Sequence, residues 1–136
     1  PCSSILTVLD VQWVVSLLAK AMVVPWPVPV QITPISDVGM RGITVHQLQL
    51  LSKYIQRLCK TGVLRHTAAT SRRGALGQRI LWTKIAQFEI CYEVIKPAIA
   101  HLGKGECSWV ELVAKGPQRP KIFVSHSWAM PFRDFI

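Results

Sequence analysis

The sequence predicts an α/β chain whose mainly helical N-terminal part leads into a buried strand near the C-terminal end. Three observations carry this. Apolar residues recur at helical spacing at Leu48, Leu51, Ile55 and Leu58, behind a capping box. A second face of the same period runs through Ile85, Phe88, Tyr92 and Ile95. Ile122, Phe123 and Val124 then form the short unbroken apolar run of a strand covered on both faces. With 136 residues, half of them hydrophobic, the chain can build one domain with a real core and is too apolar for wholesale disorder. It begins at Pro1 and stops shortly after Trp128, so it reads as a fragment of a longer protein. The expected organisation is an apolar helix with a Pro-rich connector at 1–40, a helical region at 41–115, and at 116–136 a connector leading into a truncated α/β domain.

Residues 11–30 raise a membrane question. Lys20 interrupts the run, and Pro25, Pro27 and Pro29 end any helix after Val24. What remains, 11–24, is shorter than the roughly 20 residues a bilayer demands, so no transmembrane helix is predicted. No basic segment precedes the run, as a secretory leader would have. A buried helix and an extended connector at 25–34 is the expectation.

Thr44 and Gln47 form the Thr-x-x-Gln capping box, so a helix is predicted over about 45–60, with Gly62 as its stop. A polar basic loop follows at 66–78. Its Thr67-Ala-Ala-Thr-Ser-Arg-Arg-Gly74 part reads as exposed and mobile, and Ser71 before Arg72-Arg73 is a weak modification signal. A second helix should begin near Thr83 and end or kink at Pro97. About 20 residues separate the two helices, which excludes a helix-turn-helix with its turn of three or four.

Charge is concentrated in the middle. Residues 41–84 hold Arg41, Lys53, Arg57, Lys60, Arg65, Arg72, Arg73, Arg79 and Lys84 and no Asp or Glu, so the whole net charge of +9 sits there. Arg57, Lys60, Arg65, Arg72, Arg73 and Arg79 are the candidate polyanion contacts, for weak, non-specific binding of nucleic acid or anionic lipid. Without interleaved aromatic residues, a solvated helix face plus a basic loop accounts for the same pattern. Cys2, Cys59, Cys91 and Cys107, like the four histidines, lack zinc-ligand spacing. Free, mostly buried thiols point to a reducing, cytoplasmic location. No metal or cofactor is predicted.

Ser125, His126 and Trp128 follow the predicted strand directly, at the carboxyl end where open α/β sheets place ligands, and are the candidate binding residues. Catalysis by Ser125 and His126 is not expected. Neighbours on a strand point to opposite faces, and neither an orienting acid nor an oxyanion site is evident. Glu111 reads as a surface charge on an otherwise buried segment, and Asp134 as a partner for Arg133 or Lys121.

Three ordered segments resemble an uncharacterised family of large dinoflagellate and microalgal proteins. They are Val94-Ile-Lys-Pro-Ala-Ile99, Cys107-Ser-Trp-Val-Glu-Leu-Val-Ala114 and Gly116-Pro-Gln-Arg-Pro-Lys-Ile-Phe-Val-Ser-His-Ser-Trp-Ala-Met-Pro131. Against the family's pattern, Ile122 and Ser127 replace tryptophans, and Ala129-Met130 replaces Gly-Glu, which removes a carboxylate. Phe123-Val-Ser-His126 also resembles the first strand and loop of TIR-like signalling domains. That resemblance implies a truncated flavodoxin-like domain starting near Lys121. It implies a signalling or protein-interaction role, with a protein partner or self-association in the intact protein. It also implies, as an alternative, an NAD- or nucleotide-acting enzyme in the intact protein. The basic block, independently of any resemblance, leaves a further alternative, a basic adaptor binding nucleic acid or anionic lipid through 41–84. The fragment itself is expected to be inactive.

Overall fold

The computed structural model describes residues 32–102, 107–124 and 127–136. The helix expected at 11–24, most of the Pro-rich connector, and Cys2 lie outside them.

Helix α1 (Val45–Lys60) forms as its sequence demands. Thr44 Oγ1 accepts from Gln47 N at 3.1 Å, and Gln47 Oε1 accepts from Thr44 N at 2.9 Å. Each side chain thereby satisfies a main-chain donor that the first turn leaves open. Leu51, Ile55 and Leu58 of the predicted stripe are buried, with Cys59 beside them. Gly62 ends the helix at φ 71°, a left-handed conformation that a side chain would resist. Arg79 donates to the carbonyls of Cys59 (3.2 Å) and Lys60 (3.0 Å), bringing a cation to the negative end of the helix.

The chain then makes a closed excursion. Ile80 N donates to Leu64 O at 3.0 Å, and His66 N donates to Gln78 O at 2.9 Å. Leu64 and Ile80, both buried, form the neck. An antiparallel bridge between Arg65 and Arg79 continues it, and the basic loop closes it. Most of that loop is exposed as expected, but His66 and Thr70 turn inward and are buried.

Helix α2 (Gln87–Ile90) begins later than the Thr83 expected, because 82–84 form a turn. It passes through a π turn (Cys91–Ile95) into α3 (Lys96–Leu102). Pro97 therefore does not end the run. Lys96 N donates to Cys91 O in the wider register, and the irregularity falls just before Pro97. The proline then lies in the first turn of α3, where a missing donor is tolerated. The buried face also departs from the expected one. Ile90 and Val94 enter the core and Glu89 and Glu93 are buried as well, whereas Phe88, Tyr92 and Ile95 are half-buried. The rings of Phe88 and Tyr92 pack at 4.6 Å, with Lys96 Nζ 3.8 Å above Tyr92.

Helix α4 (Trp109–Val113) supports a second, smaller core of Ile35, Val110 and Ala114. From there the chain returns past α1. Gln118 N donates to Met40 O at 2.6 Å, and Gly42 N donates to Gln118 O at 2.8 Å, a parallel bridge with Arg41. Gln47 ties the start of α1 to the end of α4 by donating to Val113 O at 3.1 Å. At the C-terminal end Pro131 bridges Ala86, and Phe132 N donates to Ile85 O at 2.8 Å. Phe132 is buried in the main core, edge-on to Trp82 at 6.3 Å.

No sheet forms among the described residues, which pair only through isolated bridges. The buried strand predicted around Ile122-Phe-Val124 is not observed: residues 121–124 are irregular and exposed. A strand needs a neighbour to satisfy its main chain and cover its faces, and no described segment lies in that position.

Candidate functional site

The segment 121–124 is held at both ends and open in between. Upstream, Gln118 is fixed by its bridge to Arg41, and its Nε2 donates to Gly42 O (2.8 Å) and Gln47 Oε1 (3.0 Å). Downstream, Trp128 O accepts from Phe88 N at 3.2 Å before Pro131 and Phe132 rejoin the core. Between these anchors Ile122 is 80 %, Phe123 93 % and Val124 52 % exposed, and Trp128 is 59 % exposed. No hydrogen bond between described residues uses the main chain of 121–124. Ser125 and His126 lie outside the described residues. Of the three predicted binding residues, the structure therefore describes Trp128, which like the apolar run is exposed.

A second constellation escaped the sequence reading: carboxylates in the interior. Glu93 accepts from Thr67 N (3.2 Å), Thr67 Oγ1 (2.7 Å) and Thr70 Oγ1 (2.6 Å), clamping the start of the basic loop onto the π turn. Glu89 accepts from Ala86 N at 2.7 Å and faces His66 Nδ1 at 3.4 Å and Arg73 Nε at 3.3 Å. His66 Nδ1 also lies 3.4 Å from Thr70 Oγ1. These carboxylates are occupied by the protein's own donors, and the cluster acts as a clasp for the loop. Among the described residues no group of His, Cys, Asp or Glu is arranged to hold a metal ion.

Glu111 corrects an expectation. It is buried rather than a surface charge, and it knots the segment before α1 to α4. Its Oε1 accepts from Ile35 N at 2.8 Å and lies 3.3 Å from Arg41 Nη2; its Oε2 accepts from Ser108 N at 2.7 Å and Ser108 Oγ at 2.9 Å. The main-chain donors of Ile35 and Ser108 hold its carboxyl down at about 2, against the opposing effect of burial and with help from the Ser108 hydroxyl and Arg41. Arg41 in turn donates to Ile35 O at 2.9 and 2.7 Å. Ser108-x-x-Glu111 is the same capping box as Thr44-x-x-Gln47, so this role was readable in the sequence. Ala86-x-x-Glu89 has only half the signature, because the methyl group of Ala86 cannot accept the second bond.

The six candidate polyanion contacts divide. Arg65 donates to Gly77 O at 2.8 Å, Arg73 faces Glu89, and Arg79 caps α1. Arg57, Lys60 and Arg72 are exposed. Arg133 pairs with Asp134 at 3.2 Å, an exposed pair that adds little to stability. Cys59, Cys91 and Cys107 are free thiols. Burial, then the charge of Glu89, pushes Cys59 up to about 11 against the pull of Arg79. Burial and Glu111 also raise Cys107, so neither thiol supplies an activated thiolate at neutral pH.

No helix among the described residues is long and apolar enough to cross a membrane. No family model matches the chain, and neither the curated proteins nor the solved structures contain a match to it.

Proposed function

We propose that this chain is a protein-interaction module whose contact surface is the exposed run Ile122-Phe-Val124, with the exposed Trp128 following in sequence. The observation that supports this is an apolar segment exposed between two anchored ends. A terminus or free loop with such residues would collapse onto the nearest apolar surface. Here the bridges at Gln118 and Pro131 keep both ends in place. Contiguous exposed apolar surface of this kind marks interaction sites. Burying the three side chains against a partner would contribute on the order of 5 kcal/mol before the costs of association are subtracted.

Selection from a displayed library of random peptides tests the reading, with the wild-type chain and Phe123→Asp as parallel baits. Phe123 lies outside both cores, so the variant keeps the fold. Peptides retained by the wild-type chain and lost from the variant are the expected result. Enrichment of the same peptides by both baits would overturn it.

A further inference from the structure

Resting on that reading of the site, we infer that the partner is an acidic, extended segment of another protein, which pairs with 121–124 as an added strand. Three observations meet here. The residue types of Ile122, Phe123 and Val124 are those that fit a pleated, half-buried surface, yet among the described residues the segment has no strand beside it. Its main-chain donors and acceptors make no hydrogen bond among the described residues, which leaves a row of them to a partner's backbone. Charge then selects the partner. Between Glu111 and Asp134 the chain carries Lys115, Arg119, Lys121 and Arg133 and no carboxylate, within a molecule of net charge +9. Carboxylates flanking the incoming strand would lie near Arg119 and Lys121, and opposite charges across a pair of strands stabilise the pairing. A second copy of this chain would bring the same positive field against itself. In the paired state, Lys121 and Phe123 would share one face of the strand and Ile122 and Val124 the other. An apolar residue at alternate positions of the partner would suit that arrangement.

The test uses fluorescent synthetic peptides and the whole 136-residue chain, read by anisotropy. One peptide has alternating valine and threonine flanked by glutamates. A second has lysine flanks, and a third has the glutamate flanks with alternate amide nitrogens methylated. Methylation removes main-chain donors while sparing side chains, so binding should weaken about tenfold if two such bonds are lost. The lysine-flanked peptide should bind more weakly than the glutamate-flanked one, with the difference shrinking as salt rises. Equal binding of the methylated peptide overturns strand addition, and equal binding of the lysine-flanked peptide overturns the acidic partner. Sedimentation showing a dimer that Phe123→Asp dissolves would assign the segment to a second copy and overturn the inference too. In each of those cases a loss of peptide binding or of dimer in Phe123→Asp leaves the interaction surface itself standing.

Discussion

Two regions of this molecule exchange the places that composition would assign them. Around the π turn and α4, Glu89, Glu93 and Glu111 are in the interior. At 121–124, Ile122 and Phe123 face solvent. The contrast shows that burial follows main-chain needs as well as hydropathy. Each interior carboxylate accepts from main-chain donors: Glu89 from Ala86 N, Glu93 from Thr67 N, which it shares with the Thr70 hydroxyl, and Glu111 from the N–H groups of Ile35 and Ser108. A carboxyl group that accepts from main-chain, hydroxyl or cationic donors recovers much of what it loses by leaving water. The apolar run has the reverse problem. Its side chains favour burial, but its own main chain has no described strand to pair with.

The comparison breaks most readily at Glu93. Replacing it by Ala removes the acceptor of the buried Thr70 hydroxyl and of the more exposed Thr67 amide and hydroxyl, which together hold the loop onto the π turn. Urea denaturation should register a loss of about 3 kcal/mol, with the loop becoming the first region to exchange its amides. A loss below about 1 kcal/mol would mean that water serves these donors as well as the carboxylate does.

Gly74→Ala is expected to cost somewhat less, about 2 kcal/mol. A Cβ there would collide with His66 Nε2 and force the ring away from Glu89 and Thr70. A shift of the His66 ring resonances by NMR, alongside the lower urea midpoint, identifies the cause. An unperturbed ring would show that the loop yields instead.

Acid sharpens the comparison at Glu111. Its folded-state value of about 2 lies below the ordinary 4.5, so its contribution is complete above 4.5 and fades as pH falls toward 2. The gap in urea midpoint between the wild-type chain and Glu111→Gln should be constant from pH 7 to about 5 and narrow below that. A gap that stayed constant down to pH 2 would deny the carboxylate its charged role.

The smallest effect belongs to the exposed run. Phe123→Asp should leave stability within about 0.5 kcal/mol of wild type. Loss of the cooperative unfolding transition in this variant would show that Phe123 packs in a core, and would erase the contrast.

Much of the helical part was legible in the residues. Helix α1 follows from Thr44, Gln47, the Leu51-Ile55-Leu58 stripe and Gly62, because capping and periodicity act within a few residues of the chain. Glu111 was equally legible through Ser108, but its apolar neighbours made it read as an exposed exception. Glu89 and Glu93 were not. Their donors in the loop are far along the chain, and a period computed from hydrophobic residues favoured Phe88 and Tyr92 over them. Pro97 was expected to end or kink the run; the run continues, with the π turn just before the proline, and which of the two outcomes holds depends on how the whole run packs. The apolar run at 122–124 shows the same limit from the other side. Residue type determined by itself that Ile122, Phe123 and Val124 favour a strand, because side-chain shape is a local property. Whether they have a strand to pair with was decided only by the tertiary structure, because a sheet's hydrogen bonds are made between segments and no single segment specifies its neighbour.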